Sequence, residues 1–344
     1  MVNNDTADPF SLNLTTAQVI PLGIFCFFMT IFGLLGNGTV LYSSVRYNSI
    51  RLDKISLLFV KNLAAADILY TIFTIFPNFI TFSARRWVLG KVWCFMSAQL
   101  SFIPGLVNIF IVLCITLYRL VLVVSPFHIT RCYTARIIAG SFWVFAIIFA
   151  LVTAIVFKTT SDFNQDNGTC ISSLYDDPSA KSLSTLCNMM FVMLPMVLIM
   201  LTNVTLCVIA FRHSRRQRIV VDKKKSRRNK GLVMICLLSG MFVASWLPYI
   251  IYNLIKVKSK TSAVSQELDI LSFHCIFINS FGNPILYSLT NKRFGEYVTR
   301  LVLDLMYCNT DRSPRQRLPT IRMGFHAADR QSTTSQLAMS PMLR

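Results

Sequence analysis

The sequence predicts an all-α membrane protein, a seven-transmembrane helix bundle. Three observations predict it. Hydrophobic residues make up 54% of the 344 positions and charged residues only 14%, where a soluble domain carries about 25% charged residues. The charges that do occur avoid seven long stretches, each long enough for the roughly 20 residues that a helix needs to cross a bilayer. The connections between these stretches are short and polar.

The first stretch, 9–45, holds no Asp, Glu, Lys or Arg. The second, 62–84, is broken by Asp67 alone. Uncharged stretches follow at 92–118, 137–157, 182–211, 231–255 and 270–291. Any one of them alone could be a buried helix of a soluble core. Seven in succession leave no polar helix faces from which to build a water-exposed surface. Pro77, Pro104, Pro195, Pro248 and Pro284 fall inside the stretches. Proline in a helix frees a carbonyl and kinks the axis, and neighbouring helices of a bundle satisfy the freed group. Strands of a transmembrane barrel would be about 10 residues of alternating polarity, and none of the stretches alternates. The first 18 residues are polar and contain no Lys or Arg, so a cleavable signal peptide is not expected.

The net charge is +19, from 34 Lys and Arg against 15 Asp and Glu. A charge of that size is also the footprint of a nucleic-acid-binding protein, so its location decides. Seven spans put the termini on opposite sides, and Lys and Arg accumulate on the cytoplasmic one. With the N-terminus extracellular, only Arg85, Arg86, Lys91, Lys158, Lys181, Lys256, Lys258 and Lys260 lie outside, and 26 of the 34 basic residues lie inside. Eight acids share the outer side, so the outer face balances and the whole excess faces the cytoplasm. The reverse orientation would expose the ten basic residues between Phe211 and Gly231. The inner charge suits anionic membrane lipids, at about 1 kcal/mol per basic residue near the surface, and needs no nucleic acid. The expectation is a multi-pass plasma-membrane protein with an extracellular N-terminus.

Sequons at Asn4, Asn13 and Asn167 fall in the outer segments, the side on which glycans are added. Of ten cysteines, only Cys94 and Cys170 are placed at the outer surface, where conditions are oxidising. A disulfide between them would pin the loop after the fourth span over the bundle mouth; two separate thiols are the alternative.

The motifs, taken in order, resemble the rhodopsin-like (class A) G-protein-coupled receptors. Span one carries Gly36-Asn37-Gly38-Thr39-Val40 and span two Leu63-Ala64-Ala65-Ala66-Asp67. Trp87 and Gly90 precede Cys94, and Arg119 follows it by 25 residues. Trp143 marks span four, Pro195 span five, and Phe242 with Ser245-Trp246-Leu247-Pro248 span six. Span seven ends in Asn283-Pro284-Ile285-Leu286-Tyr287. The resemblance implies a short amphipathic helix on the inner membrane surface, here 292–303 with Phe294. The segments are then an extracellular piece 1–18, a bundle 19–291, the surface helix 292–303 and a cytoplasmic tail 304–344.

Asp67 is the one acid deep in a span, and such a group is a functional hypothesis by default. Its candidate partners are Asn37, Asn108, Asn279, Ser280 and Asn283. In the resembling family this cluster holds an allosteric sodium ion; a protonated Asp67 in a structural network is the alternative. No other cofactor is implied. Ile109, Pro195 and Phe242 match the family's packing triad, with Trp246 one turn above Phe242, and with Asn283, Pro284 and Tyr287 these form its activation switch. For G-protein coupling the resemblance points to Arg119, Tyr118, Asn203, Arg228 and Tyr287. Three of these depart from the family pattern. Tyr118 replaces the acid beside Arg119, Arg228 stands where span six usually supplies a partner, and Asn203 replaces a tyrosine. Tyrosine offers no charge-assisted bond, so a weak inactive-state restraint and raised basal signalling are expected. Cys308 is a candidate for palmitoylation, and Ser332, Thr333, Thr334 and Ser335 for phosphorylation and arrestin binding.

The resemblance places a ligand pocket above Trp246, lined by Ser101, Phe102, Gly105, Cys187, Phe191, Tyr249, Asn253, Phe273 and Phe277. Ser101 stands where amine receptors have an aspartate, and Phe277 where opsins have the Schiff-base lysine. A non-amine ligand follows: a lipid, a neutral small molecule or a peptide. The histidines His128, His213, His274 and His326 are scattered, and no nucleophile–base or metal-ligand constellation suggests an enzyme. A transporter would show internal repeats and several intramembrane charges. The expectation is a receptor that activates a heterotrimeric G protein, with a weakly coupled seven-span decoy as the alternative.

Overall fold

The computed structural model describes residues 9–46, 53–125, 131–156, 160–173, 182, 186–187, 189–216, 223–258 and 265–306. Asn4, Cys308 and the Ser332–Ser335 cluster lie outside them. Span one is Thr16–Arg46. Span two runs Lys54–Ala84, with a π-helical stretch at Thr71–Ile75. Span three is Gly90–Val124, broken at Ser101, and span four Cys132–Val156. Span five opens on a π-helical stretch, Met189–Met193, and continues as Leu194–Arg216. Span six is Lys223–Lys258. By length and apolar composition these six described helices can cross a membrane. The seventh span is two shorter helices, Gln266–Cys275 and Phe277–Thr290, joined by a turn at Ile276. Its first turn carries Glu267 and Asp269. A hairpin of β1, Thr160–Asn164, and β2, Thr169–Ser173, follows span four.

The irregularities in the spans follow from their prolines. The π-helical stretch of span two lies just before Pro77, and that of span five just before Pro195. A wider turn relieves the clash between the proline ring and the carbonyl four residues earlier. The carbonyl so freed must find a donor inside the bundle. Phe73, four residues before Pro77, accepts a hydrogen bond from Ser97 Oγ of span three. Ser280, four before Pro284, accepts one from Asn37 Nδ2 of span one at 2.6 Å. Gly36 makes the second contact possible, because a Cβ there would stand 2.9 Å from the Pro284 ring.

Span three packs against spans two, four, five and six, and span one against two and seven. The main core centres on span three, from Val107 to Ile115, and meets Leu63, Ile199, Phe242 and Tyr287. A second cluster joins spans one, two and seven around Ile75, Phe82 and Phe277. The apolar side chains outside these cores stay exposed: Ile147, Ile148, Leu151, Val152 and Ile155 cover the free face of span four. Such a continuous apolar face needs hydrocarbon around it, which fits a bundle built for a bilayer.

Asp53 caps span two by accepting from Ser56 N at 3.0 Å. At the far end of the chain Asn291 Oδ1 accepts from Phe294 N, and Phe294 is fully buried against the core. This begins the helix Lys292–Met306, whose apolar residues fall at 294, 297, 298, 301, 302, 303, 305 and 306. Period and composition match a helix lying on a membrane surface.

Candidate functional site

Cys94, in the first turns of span three, is bonded to Cys170 on β2. The bond fastens the hairpin to the bundle and marks this as its disulfide end. The N-terminal segment is tied to it by backbone: Trp87 N donates to Phe10 O, Leu12 N to Arg85 O and Asn13 N to Gln165 O. Asn13 is exposed. Asn167 is not: only 4% exposed, it accepts from Thr169 and donates its amide to Asp269. The nitrogen that would carry a glycan at Asn167 is thus internal to the fold.

Beneath the hairpin lies a cavity of about 320 Å³. Of the residues that the resemblance places in a ligand pocket, Ser101, Phe102, Gly105, Trp246, Tyr249 and Phe273 line it. Cys187, Phe191, Asn253 and Phe277 do not. Phe191 packs on Phe145 and Phe149. Phe277 is buried among Tyr70, Phe273 and His274. Asn253 donates back to Tyr249 O in its own helix, and Cys187 is a half-buried thiol. The cavity instead extends to Tyr70, Thr74 and Asn78 on span two. The break at Ser101 and the widened turn at Thr71–Ile75 set that displacement, and no pattern of residue types announces it. Thr74 Oγ1 and Asn78 Nδ2 are buried and have no hydrogen-bond partner among the described residues. Among the described residues the lining contains no Asp, Glu, Lys, Arg or His.

Ile109 forms part of the cavity wall and belongs to the core with Phe242, whose ring lies 5.9 Å from that of Trp246. Pro195 is buried nearby in span five. The chain therefore has a continuous path of packed side chains from the cavity to the centre of the bundle.

One level further in, Asp67 is fully buried. It accepts from Asn108 Nδ2 at 2.9 Å, Asn283 Nδ2 at 2.8 Å and Ser280 Oγ at 3.3 Å. Asn279 is buried but does not bond to it; Asn37 is tied to Ser280 O and Gly33 O. Four buried carbonyl oxygens, of Asn37, Asn108, Asn279 and Asn283, have no donor among the described residues, and neither has the Tyr287 hydroxyl. Buried polar groups are normally paired. With the amide oxygens of its partners Asn108 and Asn283, Asp67 could offer oxygen ligands to a hard cation.

At the opposite end the structure corrects an expectation. Arg119 lacks an acid beside it in its own helix but has one in space, at the start of span two. Its guanidinium donates to Asp53 Oδ1 at 2.8 Å and to Ser56 Oγ at 2.8 Å. The missing acid at 118 is replaced by the capping acid of span two. Tyr118 faces the same carboxylate. The available signal is Asp53-Lys54-Ile55-Ser56, an Asp-x-x-Ser cap at the start of span two. Asn203 holds span six through Ser239 Oγ at 2.6 Å. Arg228 is within the span-six helix, its side chain outside the described part.

The family model described as "7 transmembrane receptor (rhodopsin family)" matches residues 36–287. The chain belongs to this family. It is therefore a receptor and a multi-pass membrane protein, not an enzyme. It is 26% identical to the rat somatostatin receptor type 1 over 283 residues, covering 78% of this chain and 68% of that one. It is 24% identical to the mouse chemokine XC receptor 1, with 80% of each covered. The Bombyx mori allatostatin-A receptor is 23% identical over 304 residues, covering 86% of this chain and 82% of that one. In fold the chain is similar to squid rhodopsin, with a TM-score of 0.70 at 18% identity, 88% of this chain and 93% of that one being covered. For this rhodopsin-family receptor, Trp246 of the cavity wall packs on Phe242 of the core, and Asp67 and Arg119 each hold buried or half-buried polar partners elsewhere in the bundle.

Proposed function

We propose that this receptor takes the uncharged end of an extracellular peptide into the cavity beneath the hairpin and signals through a heterotrimeric G protein. The observation that carries this is the lining: aromatic on spans six and seven, neutral and hydrogen-bonding on spans two and three, with no charge among the described residues. An ammonium or carboxylate group would be buried there without a partner, at a cost of several kcal/mol. The unpartnered Thr74 and Asn78 suit backbone amide and carbonyl groups. The somatostatin, chemokine and allatostatin-A receptors among its relatives favour a peptide over a lipid. The distribution of Lys and Arg supports an extracellular disulfide end in the plasma membrane, and a basic inner face toward anionic lipid and the G protein.

The ligand acts by displacing Trp246, which repacks Phe242 and Ile109 and frees span six to move. Asp67 and its unpaired oxygens would hold a sodium ion. Bound there, the ion supplies a counter-charge to Asp67 and stabilises the resting packing of spans two, three and seven. The weakly coupled decoy is the competing reading, favoured by Tyr118; the Asp53 restraint on Arg119 argues for a coupling arginine kept under control.

The test is nucleotide exchange on purified heterotrimeric G proteins by the full-length receptor, challenged with a library of short peptides with free and amidated termini. At least one peptide with an uncharged end should drive exchange, and Asn78→Ala should shift its dose–response by roughly tenfold. Exchange driven only by lipids would overturn the ligand class. Saturable peptide binding without exchange on any G protein would establish the decoy.

A further inference from the structure

A second concavity lies outside the cavity just described, on the flank of the bundle between spans one and two at the disulfide end. It measures about 490 Å³ and opens sideways. Span one contributes Val19, Ile20, Gly23, Ile24, Phe27 and Phe28; span two contributes Phe79, Phe82, Ser83 and Arg85. Val19 and Phe82 are buried, while Ile20, Ile24, Phe27 and Phe28 are each more than 40% exposed. Phe27 and Phe79 meet across it, with ring centroids 5.4 Å apart. From Val19 to Phe28 the groove follows span one for roughly 13 Å at the rise of a helix. It is open because position 23 is glycine: a Cβ there would sit 3.5 Å from Phe82, in ordinary contact, and anything longer would enter the groove.

The polar end of the groove is Arg85 with Ser83. Among the described residues Arg85 is the one non-glycine with positive φ, at 55°. It ends span two in a left-handed conformation, where glycine is the unstrained choice. Its carbonyl is held by Leu12 N, and its guanidinium has no ion pair among the described residues. A strained backbone position given to arginine, at the rim of an apolar groove, places one strong anion donor where the bilayer's polar boundary meets its hydrocarbon.

We propose that this groove is a phospholipid site: one acyl chain lies along Gly23, Phe27 and Phe79, and the phosphodiester is bound by the Arg85 guanidinium, while the Ser83 hydroxyl stays on Phe79 O. Charge complementarity selects the occupant. Guanidinium pairs with phosphate through a planar fork, and only a molecule with an anionic head above an aliphatic chain matches both parts of the groove. The site is separate from the ligand cavity and does not depend on the ligand proposed for it.

The experiment is native mass spectrometry of the full-length receptor in detergent. It is titrated with palmitoyl-oleoyl phosphatidylglycerol, with diacylglycerol of the same chains and with glycerol phosphate. Wild type should retain phosphatidylglycerol, hold the diacylglycerol about tenfold less well and not retain glycerol phosphate. Arg85→Gln should reduce phosphatidylglycerol retention about tenfold through the lost charge. Gly23→Leu should do so through the filled groove, with Arg85 intact. Lys91→Gln, another exposed basic residue at this end, should leave retention unchanged. Equal retention by wild type and Arg85→Gln, or by wild type and Gly23→Leu, would overturn the site. So would a Lys91→Gln loss as large as that of Arg85→Gln.

Discussion

Replacing Asp53 by asparagine should release Arg119 and raise signalling without ligand. Asparagine caps helices about as well as aspartate, so the bond to Ser56 N survives and span two stays capped; only the charge is removed. The Arg119 side chain is 11% exposed and that of Asp53 37%. The pair is therefore neither a fully solvated ion pair, worth about 0.2–1 kcal/mol, nor a buried charged hydrogen bond, worth about 1.5–3 kcal/mol. A value of about 1 kcal/mol is reasonable for a half-screened pair with one 2.8 Å contact, and Ser56 still holds the arginine after the change. If the active state is a minor population, about 1 kcal/mol raises it about fivefold. The assay is ligand-free nucleotide exchange on a G protein that the receptor activates, at matched surface expression. Tyr118→Asp in the Asp53→Asn background should bring exchange back down, because it returns an acid to the arginine's own helix. Unchanged exchange in Asp53→Asn would refute the reasoning, since the salt bridge would then not distinguish resting from active states.

Further outcomes are expected elsewhere in the fold. Sodium chloride should raise the Tm of the receptor relative to the chloride of a bulky organic cation, by the equivalent of about 1.4 kcal/mol at ten times the ion's Kd; Asp67→Asn should abolish the difference. Gly36→Val should drive a side chain into the Pro284 ring and destabilise the receptor by about 1–3 kcal/mol, read as a lower Tm in detergent. Cys94→Ser together with Cys170→Ser should destabilise it by about 2–4 kcal/mol and weaken ligand binding, because the hairpin over the cavity loses its anchor. Asn167→Gln should leave the glycosylated mass unchanged while Asn13→Gln lowers it, since Asn167 is buried by the hairpin turn.

From the sequence alone follow the number of spans, their apolar character and the need of one intramembrane acid, Asp67, for polar partners. These follow from local composition. A run of 20 apolar residues has few alternatives to a membrane helix, and one aspartate within such runs must find polar partners. Asn108, Ser280 and Asn283 were legible as those partners for that reason, and so was the need for donors behind Pro77 and Pro284. Tertiary structure decided the rest, because it depends on which turns of neighbouring helices face each other. A widened turn at Thr71–Ile75 brought Tyr70, Thr74 and Asn78 into the cavity, while Phe191 and Phe277 turned into packing. The clearest case is Arg119. Its local sequence lacks an acid, and its restraint is supplied from position 53, a residue 66 places away that also caps span two. One-dimensional pattern can show that a charge needs a partner; only the packing of spans two and three shows which residue provides it.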